Sequence, residues 1–391
     1  MGSEGCGLPM EAFAVASRSS ESASTGDYAA APASGSVDIP VADDSMAIPP
    51  GQCRLWLMAA PPVGSVATQG LRPGMEDAGT VVENLLEAPL LFRPGESVVP
   101  PAVEGGLSGL WDAARPGRSA DTVPRRVEAR FLFAGVYDGH GGAEVSRELA
   151  GKLHQCLRLQ FARALAREEE SGSGGGGWGG GHPGLGLEAV AQAVQAAFHM
   201  MDRSLDEALG EAQSVGSTAV VALVSRWHVC LANCGDSRAV LCRSRAAYRM
   251  TRDHKPDMDD ERERIVRKGG MVVDLNGPRV MGMLAMSRAL GDHCLRSAGV
   301  VPDPEITIVG RSPGDEFLVL ATDGLWDVVS DEEACSLASR CFERASKQDG
   351  PTETAARVAA RVLMKAAMDR GSRDNITVTV IDLRYNNQPQ E

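Results

Sequence analysis

Asp138, Asp323 and Asp374 each stand at the edge of an apolar run. Phe131 to Tyr137 leads into Asp138-Gly139-His140-Gly141-Gly142, Phe317 to Ala321 leads into Thr322-Asp323-Gly324, and Asp374-Asn375 opens the run from Ile376 to Ile381. Short apolar runs bounded by turn residues predict strands, and a carboxylate at a strand end is held rigidly enough to grip a ligand. One aspartate before glycine is ordinary turn chemistry. Three at corresponding places, with Asp236-Ser237 in a fourth such turn, point to a shared site. Oxygen donors without clustered His or Cys suit hard cations, Mg²⁺ or Mn²⁺, better than Zn²⁺, and Gly139 has a backbone carbonyl to add. A pair of such cations activates water and clamps the oxygens of an in-line displacement, so phosphoryl hydrolysis is the natural reaction class.

The charge balance agrees. The chain has 391 residues, 43% of them hydrophobic, and a net charge of −13 from 39 basic and 52 acidic side chains. That is enough for a sizeable core and for one large or two ordinary domains. The negative surplus argues against nucleic acid or an anionic membrane as a partner, and an acidic protein that handles phosphate needs cations to do it. The nine cysteines are scattered; Cys230 and Cys234 fall in one strand and its turn rather than in a metal-knuckle spacing, so reduced thiols in a cytosolic or nuclear protein are expected. The first seventeen residues lack the basic flank and apolar core of a signal peptide, and no transmembrane run follows. Met1 to Cys6 begins like an acylation signal but carries Cys6 where Ser or Thr is needed, so a soluble chain is expected.

Residues 1–60 are rich in Ala, Ser, Gly and Pro and read as a disordered leader. Two Pro- and Gly-rich insertions are expected near 85–126 and 171–186, and residues 385–391 form a polar tail. The second insertion, Ser171 to Trp178, lacks the Gly-Lys-Ser/Thr of a phosphate loop and reads as a flexible loop. Strands are predicted over Arg130 to Tyr137, Ser217 to Val224, His228 to Asn233, Ala239 to Arg243, Glu316 to Ala321 and Ile376 to Ile381. Helical spacing links Val145, Leu149, Leu153 and Leu157, then Val190, Val194, Phe198, Met201 and Leu205. A third helix is predicted from about Thr352 to Arg370, ending at Gly371 as a C-cap. Strands on short turns with helices in pairs predict an α+β fold, a layered sandwich of two antiparallel β-sheets flanked by α-helices.

Seven separated motifs carry a resemblance. Met75-Glu76-Asp77, Asp138 to Gly142, Gly216-Ser217-Thr218, Asn233 to Arg238, Ser287 to Asp292, Asp323 to Asp327 and Asp374-Asn375 stand in the order seen in type 2C protein phosphatases. The resemblance covers roughly residues 64–384 and implies one catalytic domain over 61–384. It implies two divalent cations, with Asp138 bridging them, the Gly139 carbonyl on one, and Asp323 and Asp374 on the other. Glu76 and Asp77 resemble the family's carboxylates that hydrogen-bond metal-bound water and orient the ligands. Arg72 stands where the family keeps a phosphate-binding arginine, a task that suits a guanidinium fork. His140 resembles the proton donor to the leaving oxygen, and histidine's ordinary pKa suits that role. Asp236 resembles a ligand of the third, weaker cation of some relatives.

Within the family, Val215 to Ala222, Asp253-His254-Lys255-Pro256, Leu284 to Arg288 and Val301 to Glu305 look most like the plant group that restrains abscisic acid signalling. That resemblance implies action on sucrose-non-fermenting-related kinases, and inhibition by hormone-loaded receptors. One residue departs from the pattern. Before Asn276-Gly277, in the flap beside the active site, most of that group has a tryptophan that reaches the receptor, and here it is Leu275. Leucine has no N–H donor, so receptor inhibition is expected to be weakened. Phosphorylated proteins are the expected substrates of a monomer in nucleus and cytoplasm, although Arg125-Arg126 is a thin basic signal. The rival from another class is a pseudophosphatase that binds kinases or receptors without turnover; the complete carboxylate set speaks against it.

Overall fold

The computed structural model describes residues 37–38, 60–93, 95–100, 103, 124–172, 184–210, 213–347 and 353–384. Two antiparallel sheets form its centre. One has six strands in the order Val37–Asp38, Val63–Thr68, Ile376–Asp382, Asp315–Ala321, Arg238–Arg243 and Ala246–Arg249. The other has five, in the order Glu305–Gly310, His228–Cys234, Ala219–Val224, Arg125–Tyr137 and Ala78–Phe92. Two pairs of helices pack on the outside: α1 (Glu144–Gly172) and α2 (Leu187–Leu209) cover the five-stranded sheet, while α5 (Asp331–Ala345) and α6 (Ala355–Asp369) cover the other. Between these pairs lie α3 (Asp259–Arg267) and the four-residue α4 (Asp323–Trp326).

Alternation along each strand divides the core into three layers. Leu132, Ala134 and Val136 meet Leu241, Leu318 and Leu320 between the sheets. Their strand neighbours Phe131 and Phe133 face outward to Leu149, Leu153, Val194 and Phe198. On the opposite side Val240, Val319 and Val378 pack on Ala338, Phe342 and Leu363. Both faces of the central strands are therefore buried, which is why they read as continuous apolar runs rather than alternating ones.

The predicted α+β sandwich is the observed architecture, with differences in extent. Arg125–Tyr137 begins five residues before its predicted start and pairs with the fifteen-residue strand Ala78–Phe92 across a bulge between Val82 and Leu86. Residues 85–92 and 125–126, expected within an insertion, are thus strand. Ala88, Leu90 and Phe92 are buried while Glu87 and Leu91 are exposed, a period of two that Pro89 masked; an edge strand tolerates that proline. The predicted run Ser217 to Val224 is broken at Thr218, which separates Gly216–Ser217 from Ala219–Val224. Gly216–Ser217 is the middle strand of a separate small sheet, between Gly139–His140 and Leu290–Gly291. Inside the stretch expected as a leader, Val37–Asp38 pairs with Val66 and Ala67; the remainder of 1–59, the run 173–183 and the tail 385–391 lie outside the described residues. The third predicted helix ends as expected, with Gly371 at φ +86° where a glycine is favoured.

Candidate active site

Asp138 leaves its strand with its backbone clamped. Its N–H donates to Thr218 Oγ1 at 3.1 Å, its carbonyl accepts the Thr218 N–H at 2.9 Å, and Thr218 Oγ1 lies 2.7 Å from Ser237 Oγ. The break in the strand at Thr218 is what frees these groups for Asp138. The next residue is obliged to be glycine: a Cβ on Gly139 would lie 2.4 Å from the Glu76 carbonyl oxygen and 2.9 Å from Ser146 Oγ. The Ser146 hydroxyl donates to that same Glu76 carbonyl, tying the 76–77 segment to the start of α1.

Asp77 is buried, and its Oδ2 accepts hydroxyl protons from Thr322 at 3.0 Å and Thr377 at 2.9 Å. Its Oδ1 is buried without a partner. Asp323 opens α4 directly after its strand, and Gly324 is again required by a close approach, since a Cβ there would meet the Asn375 carbonyl at 2.0 Å. Asp374 accepts from Arg72 Nη2 at 2.6 Å through Oδ2 and from the Asn375 N–H at 2.8 Å through Oδ1. The Asn375 side chain accepts the Glu76 N–H at 2.8 Å and donates to the carbonyls of Gln69 at 2.7 Å and Gly74 at 3.0 Å. One buried amide thereby fastens the segment carrying Arg72, Glu76 and Asp77 to the strand carrying Asp374. Asp236, only 2% exposed, accepts from Lys255 Nζ at 2.5 Å, and its Oδ1 has no partner.

These carboxylates act on one another. Burial pushes Asp138 well above the usual carboxylate range, and Asp77, Asp323, Asp236 and Asp374 add to the effect by repulsion. Asp77 is pushed up to about 7, first by burial and partly by Asp374, against the hydroxyl bonds from Thr377 and Thr322. Asp323 is pushed up to about 8 by burial and by Asp236, Asp327 and Asp374, with Lys255 opposing. Like charges gathered out of water favour the neutral form unless cations balance them. Among the described residues no three His, Cys, Asp or Glu side chains form a ready ligand group for a metal ion. The all-oxygen donor set and the unpartnered Oδ1 atoms of Asp77 and Asp236 nevertheless fit hard cations that keep several waters, as Mg²⁺ does.

The remaining expected residues fall as follows. Arg72 is 54% exposed and reaches the cluster through Asp374. Glu76 takes part through its backbone N–H and carbonyl. His140 is not alone: its Nε2 lies 2.6 Å from Asp292 Oδ2. Leu275 is 53% exposed in the three-residue turn of the hairpin Val272–Asp274 and Pro278–Val280, where Asn276 and Gly277 both have positive φ, a conformation that Asn and Gly tolerate in tight turns. Its carbonyl accepts from Arg279 Nε at 3.2 Å. Residue types alone missed the parts of Asn375, Thr218, Lys255 and Asp292. Each sits in a motif quoted above, but its partner lies between 19 and 306 positions away.

Residues 109–376 match the family model described as protein phosphatase 2C. The chain belongs to that family. With it the chain is placed among the metal-dependent serine/threonine protein phosphatases. It is 40% identical over 337 residues to "Probable protein phosphatase 2C 6" of rice, an alignment covering 81% of this chain and 65% of that protein. To "Protein phosphatase 2C 50" of rice it is 38% identical, covering 85% of this chain and 86% of the other. The fold is similar to the crystal structure of serine-threonine phosphatase 2C from Toxoplasma gondii, with a TM-score of 0.61 at 22% identity, covering 89% of this chain and 99% of that one. The carboxylates described above thus stand at or beside the ends of strands that belong to a phosphatase 2C sandwich. No helix among the described residues is long and apolar enough to cross a membrane.

Proposed function

We propose that this chain hydrolyses phosphoserine and phosphothreonine in proteins, with two divalent cations, Mg²⁺ or Mn²⁺, held by Asp138, the Gly139 carbonyl, Asp323 and Asp374. When bound, such a pair would activate a water and neutralise charge on the phosphoryl oxygens. The observation that carries this reading is the placing of Asp138, Asp323 and Asp374 at strand ends together with the buried Asp77 and Asp236, whose Oδ1 atoms have no partner among the described residues. Arg72 would turn its exposed guanidinium from Asp374 to the substrate phosphate, where a planar fork matches two oxygens. Asp77, fixed by Thr322 and Thr377, and Glu76, fixed through its backbone by Asn375, would orient the water shell. His140 would hand a proton to the leaving oxygen. Lys255 already neutralises Asp236, so a third cation there would have to displace an ammonium group.

We also propose action in the plant abscisic acid pathway, in nucleus and cytoplasm, on sucrose-non-fermenting-related kinases. The quoted motifs and the rice relatives support a plant phosphatase 2C, and the pathway rests on motif similarity. Leu275 presents an apolar side chain with no donor, and receptor inhibition is accordingly weak. Release of phosphate from a phosphothreonine peptide should require Mn²⁺ and disappear in Asp138→Ala. No release by the unsubstituted chain would remove the activity, and equal release by the variant would remove the cation assignment. Hormone-loaded receptor should leave most activity intact; full inhibition near stoichiometry would overturn the Leu275 reading.

A further inference from the structure

The motif Asp253-His254-Lys255-Pro256 has no task in the chemistry above, yet the fold seats it against the turn that carries Asp236. His254 and Gly235 bond in both directions: the Gly235 N–H donates to His254 Nδ1 at 3.1 Å, and the His254 N–H donates to the Gly235 carbonyl at 3.0 Å. Asn233 Nδ2 bridges the same two segments, donating to the carbonyls of Gly235 at 3.1 Å and Arg252 at 2.9 Å. The Arg238 guanidinium grips both oxygens of Asp253, through Nε at 3.0 Å and Nη2 at 2.5 Å. His254 is wholly buried, and its carbonyl accepts the Ser287 N–H at 2.9 Å. Lys255 therefore projects from a backbone that is fastened to the Asp236 turn on both sides of it.

Positive charge is what this corner would lack without it. Lys255 Nζ lies 2.5 Å from Asp236 Oδ2, Asp236 is 2% exposed, and its buried Oδ1 has no partner among the described residues. Asp323 and Asp327 attract the same ammonium. A buried carboxylate without a countercharge is costly, so Asp236 needs either an ion from solution or a cation that the chain carries. Lysine supplies a compact point charge with three donors. Because its backbone is already held, it reaches Asp236 as an intramolecular partner, without the reluctant dehydration of an ion such as Mg²⁺.

We propose that Lys255 is a tethered cation of this centre: its ammonium fills the place beside Asp236 that a third ion would take, so the chain binds two ions and completes the third position with a side chain. This rests on the reading of the site as a two-cation centre. The charge at this corner is then independent of the cation concentration, and the motif from Asp253 to Pro256 has its task, which is to hold that charge in place. Lysine and a divalent ion compete for one carboxylate, so removing the lysine opens the position to the ion.

Counting ions tests this without recourse to turnover. The full chain and its variants are stripped of metal and titrated with Mn²⁺, the free ion being followed by electron paramagnetic resonance. The unsubstituted chain should bind two ions and Lys255→Met three, since methionine keeps most of the side chain's length and removes the charge. Lys255→Arg should return the count to two, and so should Asp236→Asn added to Lys255→Met. Three ions in the unsubstituted chain, in Lys255→Arg or in the double variant, or only two in Lys255→Met, would overturn the proposal. Crystals of the unsubstituted chain grown in Mn²⁺ give a second reading that needs no variant. Anomalous scattering should show no ion on the Asp236 carboxylate, with Lys255 Nζ still beside it; an ion there would also overturn the proposal. An unsubstituted chain that binds no Mn²⁺ would instead remove the two-cation reading beneath it.

Discussion

Replacing Asn375 by alanine tests whether the segment that carries Arg72, Glu76 and Asp77 is held in place from the opposite strand. The amide makes three bonds, from the Glu76 N–H at 2.8 Å and to the Gln69 and Gly74 carbonyls at 2.7 and 3.0 Å. At roughly 0.5–1.5 kcal/mol net for each, their loss amounts to about 1.5–4.5 kcal/mol. Gly74 is exposed and Gln69 and Glu76 are half-buried, so water can satisfy part of what is lost and the lower end is expected. The kinetic effect should be larger than the stability effect suggests. The Arg72 guanidinium meets the cluster at Asp374, and a displacement of about 1 Å in a positioning element can cost on the order of 100-fold in rate. Urea unfolding with the far-ultraviolet signal gives the first quantity, and kcat/KM on a phosphothreonine peptide gives the second. An Asn375→Ala variant that is destabilised as stated yet keeps an unchanged kcat/KM would refute the link between this amide and the placement of Arg72.

Gly139→Ala should abolish Mn²⁺-dependent turnover, because the new methyl group would sit 2.4 Å from the Glu76 carbonyl oxygen; activity near that of the unsubstituted chain would contradict it. Glu261 is wholly buried, and although burial alone would raise its pKa, bonds from Arg264, Arg288 and Ser287 hold its carboxyl well below the usual range. That contribution is complete above the ordinary carboxylate pKa and is lost as the pH falls through the lowered one. Glu261→Gln should therefore cost about 3–5 kcal/mol at pH 7, measured by urea unfolding, and lose less stability than the unsubstituted chain on acidification. His228 packs edge-on to Phe92 at 4.4 Å, and burial lowers it to about 4 from 6.5. Its neutral form is stabilising above pH 6.5, and about 3 kcal/mol should be lost as the pH falls from there through 4. His228→Leu should flatten that part of the stability–pH curve, and an unchanged slope would contradict the reading.

The layered sandwich was legible because its central strands are buried on both faces and read as plain apolar runs, and because α1, α2 and α6 carry unbroken helical spacing. The first half of the edge pair was not: Pro89 and the bulge at Val82 hide the alternation of Ala78–Phe92. Asp138, Asp323 and Asp374 were legible as strand-end carboxylates. What holds them was not, since the hydroxyls of Thr218, Thr322 and Thr377 and the amide of Asn375 are ordinary polar residues until the sheets bring them to their partners. Asp292 illustrates the limit. In sequence it ends a motif 152 positions from His140, and only the small sheet across Gly216 makes the two a pair.

Direct counting of bound Mn²⁺ tests the central claim, that the gathered carboxylates form a cation centre. The metal-stripped chain should be titrated with Mn²⁺ and the free ion followed by electron paramagnetic resonance. Two ions per chain are predicted, with binding of both weakened in Asp138→Ala and of one in Asp374→Ala. Binding that is undiminished in all of Asp138→Ala, Asp323→Ala and Asp374→Ala would contradict the account.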